Sequence, residues 1–566
     1  FIVEALDWLV IGVFFLALIG IIVWVVRQKQ NDSADYFLGG RDATWLAIGA
    51  SIFASNIGSE HLIGLAGAGA SSGMAMAHWE IQGWMILILG WVFVPFYTRS
   101  MVYTMPEFLE RRYNPQSRTI LSVISLVSYV LTKVAVTVYA GGLVFQQVFG
   151  IKELWGIDFF WIAAIGLVVL TALYTIFGGM KSVLYTSVLQ TPILLLGSLI
   201  ILVLGFKELG GWDEMMRVCG AVTVNDYGDT MTNLIRSNDD ANFPWLGALI
   251  GSAIIGFWYW CTDQFIVQRV LSGKNEMEAR RGTIFGAYLK LLPVFLFLIP
   301  GMIAFALHQK YIGAGGEGFR PMLENGTANA DAAFPTLVAK LLPAGVKGLV
   351  VCGILAALMS SLASLFNSSA MLFTIDFYKR FRPQTSEKKL VGIGQVATVV
   401  IVILGILWIP IMRSVGDVLY TYLQDVQSVL APGIAAAFLL GICWKRTSAQ
   451  GGMWGLISGM VIGLTRLGAK VYYSNAGEVA DSTFKYLFYD MNWLFFCGWM
   501  FLFCIIVVIV VSLATEAPTA EKIQGLVFGT ATKEQKASTR ASWNHWDIIH
   551  TVIILAITGA FYWYFW

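Results

Sequence analysis

The sequence predicts an all-α integral membrane protein whose core is an inverted repeat of five plus five helices. Three observations predict this fold class: the composition, the number of apolar stretches, and two interrupted stretches that lie five spans apart. Of the 566 residues, 57% are hydrophobic, 13% are charged and 57 are Gly. A soluble domain of this length does not have such a composition, whereas Gly lets helices pack closely within a membrane.

Fourteen apolar stretches are long enough to cross a bilayer as helices. We expect the first to remain as a span, because it is too long for the apolar region of a signal peptide and no small-residue cleavage site follows it. The predicted spans are residues 3–26, 45–70, 77–97, 119–148, 157–177, 183–206, 244–270, 283–308, 344–378, 391–412, 419–444, 449–469, 491–514 and 546–566.

The charges of the connecting loops predict the orientation. If the first residue lies outside, the alternate loops that start with 27–44 contain more than half of the 37 Lys and Arg residues. Cytoplasmic loops carry such an excess of basic residues. Both termini are therefore expected outside, in a plasma membrane, and the short tails favour a bacterial inner membrane.

Composition and motifs exclude several functions. A net charge of +2 without a basic tract gives no reason to expect a nucleic-acid partner. The six Cys residues have no CxxC spacing, so we interpret them as small apolar residues. The absence of GxSxG, Walker A and HExxH motifs argues against an enzyme and against ATP-driven transport. Transport would then draw its energy from an ion gradient, without an organic cofactor.

The stretch from Ala54 to Gly64 interrupts the second span with polar residues and Gly. It includes Glu60 and His61, and ionisable residues at membrane depth are functional-site candidates. A helix broken there would free backbone carbonyls for a cation, although a kinked helix with polar contacts would fit the same residues. A second interrupted stretch, Gly256 to Gln264, lies in the seventh span. Inverted repeats predict interrupted spans at matching positions of the two halves.

Hydroxyl groups of the ninth span could bind the cation. Ser361, Ser364 and Ser368 share one helix face. Hydroxyls and freed carbonyls suit Na⁺, since hard cations prefer oxygen ligands. Helix packing through Ser side chains is the alternative.

Charged, amide and aromatic residues could line a site for a polyol. Glu80 opens the third span, where it is either a site residue or an interfacial residue at a helix N-terminus. Lys290 precedes Leu-Leu-Pro and either lies at membrane depth or reaches back to the cytoplasm. Gln424 lies in a polar stretch at the start of an apolar span. Tyr259 and Trp260 could stack on the C–H faces of a sugar, or simply pack.

Several longer stretches resemble the sodium:solute symporter family, and in particular its sodium/glucose cotransporter branch. The resemblance extends from about Asp35 to the C-terminus. Its strongest stretches are Asp35–Arg41, Gly49–Gly58, Gly64–Gly73, Tyr103–Glu107, Trp258–Gln264, Ile266–Arg269 and Phe438–Arg446.

The resemblance implies a LeuT-type fold, with a ten-helix inverted-repeat core and peripheral spans that bring the total to fourteen. The implied units are a first peripheral helix with its inner loop, a first repeat, an extracellular loop, a second repeat and three peripheral helices. Their expected bounds are 1–44, 45–206, 207–243, 244–444 and 445–566.

The resemblance also implies a function and a site. The function is secondary-active import of Na⁺ with a hexose, glucose or galactose, by alternating access. The implied sugar-binding residues are Asn56, His61, Glu80, Tyr259, Trp260, Lys290 and Gln424. The implied Na⁺ ligands are the backbone oxygens of Ala54, Ile57 and Ala357 and the hydroxyls of Ser360 and Ser361. The implied outer gate is Leu65, Trp79 and Tyr420, and the implied inner gate is Tyr259.

Two departures from the family pattern affect these expectations. Many relatives have an acidic residue at the position of Ser187, which is linked with a second sodium or with proton coupling. Its absence favours one Na⁺ per solute. Gln82 and Gln427 replace other polar residues and could shift the preferred pattern of hydroxyl groups.

Two alternative functions remain. The stretch from Gly58 to His61 also resembles the myo-inositol branch, so a sodium/polyol symporter is one alternative. A glucose-gated sensor is the other, but relatives with that behaviour carry an acidic residue in place of Gln424. A monomer would suffice for transport.

Overall fold

The computed structural model of the chain describes residues 4–28, 32–58, 60–313 and 333–566. Within these ranges, side chains are described except at residues 60, 63, 130–132, 135, 136, 140, 143, 144, 147, 148, 311–313, 408–426, 471 and 474. The side chains of three predicted functional residues, Glu60, Tyr420 and Gln424, therefore lie outside those described.

The described residues form α-helices that we number α1 to α26 in chain order. The first thirteen are Ala5–Val26, Ser33–Leu38, Trp45–Asn56, Ala66–Ser71, Ala77–Glu80, Gly83–Ile88, Val94–Ser100, Met105–Arg112, Pro115–Ser128, Ala135–Phe149, Phe159–Leu209, Trp212–Gly220 and Trp245–Gly256. The others are Gln264–Leu271, Glu276–Leu289, Ile299–Gly313, Ala333–Leu341, Val346–Met371, Lys379–Phe381, Glu387–Cys443, Ala449–Asn475, Thr483–Lys485, Trp493–Ala514, Ala520–Ile523, Lys533–Ala541 and His545–Phe565.

Shorter elements interrupt or connect these helices. One hairpin pairs β1, Glu153–Leu154, with β2, Ile157–Asp158, in antiparallel orientation. The 3₁₀ turns are Gly39–Arg41 and Gly73–Met76. The π-helical segments are Glu60–Leu65, Leu89–Phe93, Tyr129–Val134, Phe257–Thr262, Val294–Leu298, Leu372–Tyr378 and Tyr486–Asp490. Such segments occur frequently at functional sites.

Nine helical stretches of the described chain are long and apolar enough to cross a membrane, and two shorter apolar helices, Trp45–Asn56 and Gln427–Cys443, accompany them. The predicted fifth and sixth spans are joined in α11, and the predicted tenth and eleventh in α20. Within α11 the chain turns at Gly179, whose φ of 59° and ψ of −149° no other residue adopts readily. The total of fourteen spans stays a prediction.

Both interrupted spans are broken where the sequence predicts. Helix α3 ends at Asn56, and Ile57 follows with an extended backbone, φ −79° and ψ 109°. In the seventh span, α13 ends at Gly256 and the π-helical segment after it ends at Thr262. Asp263 follows and is also extended, φ −83° and ψ 131°. The eighth span bends as its Pro predicts, because α15 ends at Leu289 and Lys290 follows.

The burial of the helices shows which of them form the core and which lie at the periphery. Helix α18 is buried along almost its whole length. By contrast, α1, α23 and α26 expose large apolar side chains, among them Leu16 at 71% and Val510 at 58%. Apolar faces of this extent suit a lipid environment. The broken span packs directly on the central helices, because Gly69 of α4 and Gly301 of α16 let the two backbones meet.

Candidate functional site

One cavity of about 90 Å³ lies where the broken second and seventh spans meet the third and eighth. Its lining includes six of the seven predicted sugar-binding residues, of which Tyr259 is also the predicted inner gate, and two of the three predicted outer-gate residues. They are Asn56, His61, Glu80, Tyr259, Trp260 and Lys290, with Leu65 and Trp79. Sequence reasoning did not predict that Met76 and Ile255 also line it.

Breaks in the helices bring these side chains together. Asn56 is the last residue of α3, and His61 lies in the π-helical segment that follows the break. Glu80 ends α5, before a bend at Ile81 that the sequence did not predict. Lys290 is the first residue after α15. Side chains at helix ends can converge on one point, which a straight helix does not allow.

A buried cluster of charged groups centres on Glu80. Lys290 Nζ donates a hydrogen bond to Glu80 Oε2 at 2.6 Å, and His61 Nε2 lies 3.1 Å from the same oxygen. Side-chain exposure is 3% for Lys290 and 12% for Glu80. The Lys290 ammonium also lies 5.2 Å from the centre of the Trp260 ring, within the range of a cation–π interaction. Lys290 thus lies at depth and does not reach back to the membrane surface.

Gln82 holds Trp260 in place. Trp260 Nε1 donates to Gln82 Oε1 at 3.2 Å, and Gln82 Nε2 donates to the carbonyl of Ser252 at 2.8 Å. A side chain on Gly256 would clash with this amide, since its Cβ would lie 2.8 Å from Gln82 Nε2. Gln82 is therefore a positioning residue for the aromatic wall, and both ends of its amide are already used. Only its place beside Glu80 in the sequence hinted at a role.

Two predicted gate aromatics, Trp79 and Tyr259, line the cavity. Trp79 stacks on Trp493, with ring centres 5.6 Å apart and planes 14° apart, and also contacts Phe243. Tyr259 packs edge-to-face on Trp260 at 4.9 Å. The ammonium of Lys133 lies 5.1 Å from the Tyr259 ring centre. Both gate aromatics are thus held by aromatic or cationic neighbours.

The end of α3 leaves backbone oxygens available. The last carbonyls of a helix have no partner within it, and no described residue donates a hydrogen bond to the carbonyls of Ala54 or Ile57. Ser361 Oγ of α18 lies 3.1 Å from the position that a Cβ on Gly58 would take. The Ser361 hydroxyl therefore packs against the chain segment just after the break, and hydroxyl and carbonyl oxygens are the ligands that Na⁺ prefers.

Helix α18 turns the predicted Na⁺ face toward α3. Ser364 Oγ is hydrogen-bonded to Ser55 Oγ. Ala357, Ser361 and Ser364 recur at helical spacing and so share that face. Ser360, by contrast, donates its hydroxyl to the Oε1 atom of Gln190, a residue of α11 that the sequence did not single out. Ser368 accepts a long hydrogen bond, 3.5 Å, from Arg269.

The hydroxyl of Ser187 is engaged within its own helix. Its hydroxyl donates to the carbonyl of Val183, one turn earlier in α11, at 2.6 Å. Such a back-bonded hydroxyl is satisfied within its own helix.

Comparison with known proteins identifies the family. Residues 36–459 match the sodium:solute symporter family. The chain belongs to that family. The sodium/myo-inositol cotransporter 2 of Homo sapiens is 37% identical over 541 residues, which cover 93% of this chain and 79% of that protein. The sodium/glucose cotransporter 4 of Danio rerio is 36% identical over 562 residues, or 96% of this chain and 84% of that protein.

A solved structure confirms the fold class. The outward-open, substrate-bound state of a Na⁺-coupled sialic acid symporter superposes with a TM-score of 0.73 at 22% identity, and the match covers 91% of this chain and 99% of that one. The protein is therefore a membrane-embedded secondary transporter of LeuT-type fold, not an enzyme, and Na⁺ is its coupling ion.

The ion pair of the cavity can be tested by removing one charge and then both. Lys290→Met leaves Glu80 buried without its cation, which costs roughly 3–5 kcal/mol of stability. We expect a lower melting temperature in detergent and a loss of solute binding. The double variant Glu80→Gln/Lys290→Met removes both charges and should recover most of the melting temperature without recovering binding. Two independent, additive losses of stability would contradict the pairing.

Proposed function

We propose that the chain couples the downhill entry of Na⁺ to the import of a hexose, glucose or galactose, by alternating access. The observation that carries the proposal is the cluster in which His61 and Lys290 both contact one oxygen of Glu80. The cavity is small, about 90 Å³, which suits a compact solute.

The charges of the cavity favour a neutral solute. Glu80 and Lys290 neutralise each other at 2.6 Å, so neither is left to bind a charged group of opposite sign. A carboxylate-bearing solute would require an unpaired cation instead. Even when paired, the Glu80 carboxylate has lone pairs that can accept hydrogen bonds from the hydroxyls of a neutral sugar. The Lys290 ammonium likewise has protons that it can donate to them.

Buried nitrogens of the lining support a solute rich in hydroxyls. Asn56 Nδ2, His61 Nδ1 and Trp79 Nε1 are buried and have no hydrogen-bond partner among the described residues. Leaving a buried polar group unpaired costs about 1–3 kcal/mol. A hydroxyl that pairs with any of them on binding removes that cost. Tyr259 and Trp260 add aromatic faces for the C–H surfaces of the ring.

The Na⁺ site that we propose consists of the Ala54, Ile57 and Ala357 carbonyls and the Ser360 and Ser361 hydroxyls. Ser360 would turn its hydroxyl from Gln190 to the ion. Asn56 lies between two of these positions in sequence and also lines the solute cavity, so the ion and the solute order the same chain segment. Each then binds more tightly when the other is present, as linkage requires.

The coupling produces transport if the segment that Na⁺ and the solute share has different conformations in the outward-open and the inward-open states. Na⁺ would hold the break of the second span against α18 and so arrange Asn56 and His61 for the solute. Solute binding would close the outer gate, Trp79 and its neighbours, over the cavity. Rocking of the two repeats would then open the inner gate, at Tyr259, to the cytoplasm. A ligand shifts such an equilibrium only by its different affinity for the two states. We propose one Na⁺ per solute, since Ser187 is back-bonded, and both termini outside the plasma membrane.

Myo-inositol is the second candidate solute. The relatives of Homo sapiens and Mus musculus that match at 37% identity are named sodium/myo-inositol cotransporter 2. A cyclic hexol presents the same chemistry as a hexose, and the charge argument holds equally for both.

Uptake by proteoliposomes tests the proposed solute. Labelled glucose is offered with an inward Na⁺ gradient and, in parallel, an equal K⁺ gradient. We expect accumulation above equilibrium with Na⁺ alone, and competition by unlabelled galactose. Competition only by myo-inositol, with labelled myo-inositol accumulating instead, would replace the hexose and keep the mechanism. A Na⁺ current on glucose addition without accumulation would indicate a sensor.

The proposed ion ligand can be tested on the same vesicles. Ser361→Ala removes one oxygen ligand, so the Na⁺ concentration for half-maximal uptake should rise about tenfold, the cost of one hydrogen bond to a charged group. Ser369→Ala is the matched control, since Ser369 lies on the same helix, is fully buried and has a hydroxyl without a hydrogen-bond partner among the described residues. An equal effect of both variants would assign Ser361 to helix packing.

A further inference from the structure

A long apolar groove runs along the outer surface of the protein, away from the solute cavity. Its volume is about 920 Å³. It lies between the end of α9, the π-helical segment Leu372–Tyr378 and the first part of α20. The apolar side chains that form most of it include Leu126, Phe373, Val396, Ala397, Val400 and Leu404.

Two of the three walls are fixed to each other. Arg118 of α9 forms an ion pair with Asp376 of the π-helical segment at 2.9 Å. Thr104 donates a further hydrogen bond to Asp376 Oδ1 at 2.8 Å. The groove is therefore a built feature of the fold rather than a gap between loosely packed helices.

The floor of the groove is open to the surroundings of the protein. Val396 is 63% exposed and Val400 48% exposed. These residues belong to a span, so their surroundings are the hydrocarbon of the bilayer. From Lys389 to Leu404 the groove follows α20 for about 22 Å at 1.5 Å per residue. One leaflet contributes roughly 15 Å of hydrocarbon, so the groove is long enough for a lipid chain from surface to midplane.

One end of the groove is basic. The two polar side chains in its lining are Tyr378, which directly precedes the loop 379–390, and Lys389, near the end of that loop, so both lie at the same membrane surface. Lys388 and Arg382 of that loop are exposed. Among the described residues, no acidic group lies within 4 Å of Lys388, Lys389 or Arg382.

The acidic residue of this loop is already engaged. Glu387 Oε2 accepts hydrogen bonds from the backbone N–H of Ser33 at 3.0 Å and from its hydroxyl at 2.7 Å. These bonds leave Glu387 ionised, but the loop 379–390 has five Lys and Arg residues against this one acidic residue, so the end of the groove is net positive. The predicted topology assigns it to the cytoplasmic surface, where anionic lipids are concentrated.

We propose that this groove binds one phospholipid with an anionic headgroup, its acyl chain along α20 and its phosphate at Lys389. The length of the apolar groove matches the acyl chain, and the positive charge at its end matches the anionic headgroup. The site adjoins the transport machinery, because the π-helical segment in its wall continues α18, which carries Ser361. The proposal does not depend on which solute is carried.

Native mass spectrometry of the purified, full-length protein can test the binding. The probes are phosphatidylglycerol and phosphatidylcholine with identical acyl chains. Two lysines near the headgroup should give roughly a thirtyfold preference for phosphatidylglycerol. Lys388→Gln/Lys389→Gln should abolish the preference while some lipid remains bound. Equal occupancy by the two lipids in the unaltered protein would overturn the proposal.

A second variant tests the groove itself without disturbing the fold. A Cβ added at Gly392, which lines the groove, would meet no atom within 4 Å. Gly392→Phe should therefore fill the groove and remove the tightly bound lipid. Gly468→Phe is the matched control, because Gly468 also has no neighbour within 4 Å and lies on α21, outside the groove.

The outcomes of this pair are distinct. Loss of lipid with Gly392→Phe alone, at an unchanged melting temperature, supports the site. Unchanged lipid with Gly392→Phe would overturn it. A dimer that Gly392→Phe dissociates would also overturn it, since a second copy of the chain would then be the occupant.

Discussion

Bilayer hydrocarbon supplies no hydrogen-bond partners, so every break in a spanning helix must be satisfied by the protein or by what it carries. The two breaks with extended backbone, in the second and the seventh spans, differ in the hydrogen-bond partners that the protein supplies. At the break of the seventh span, Asp263 accepts hydrogen bonds from Tyr129 and from Lys133, and Tyr97 donates to the carbonyl of Cys261 at 2.5 Å. At the break of the second span, the carbonyls of Ala54 and Ile57 have no described donor. That difference is why we propose the cation site at the break of the second span.

The buried charged groups of the solute cavity are subject to the same constraint, because the hydrocarbon does not stabilise a charge either. Each charge at membrane depth is expensive alone, and Glu80 is stable there because Lys290 and His61 share one of its oxygens. One break, after Asn56, and two bends, at Ile81 and at Lys290, bring these side chains together. The resulting pocket is polar but nearly neutral, which supports the neutral, hydroxyl-rich solute that we propose. Gln82, held at both ends, keeps the aromatic wall in register with that pattern.

Much of this arrangement could be predicted from the sequence. Polar residues and Gly inside apolar stretches located both breaks, and Leu-Leu-Pro located the bend after Lys290, because such residues are incompatible with a lipid-facing helix. Six predicted sugar-binding residues line one cavity. The bend at Ile81 and the π-helical segments were not predictable, since a single extra residue in a helix turn depends on the neighbouring helices. The hydrogen bond from Ser360 to Gln190 links residues 170 positions apart in the chain and has no local signal.

The central claim is that Na⁺ and solute bind cooperatively because both order residues 54–61. Titration calorimetry of the purified protein measures this directly, with the solute titrated at several Na⁺ concentrations and choline replacing Na⁺ at constant ionic strength. The account predicts that the Kd of the solute falls as Na⁺ rises, and that the Kd of Na⁺ falls by the same factor when the solute is present. A solute Kd that is the same without Na⁺ and at saturating Na⁺ would contradict it.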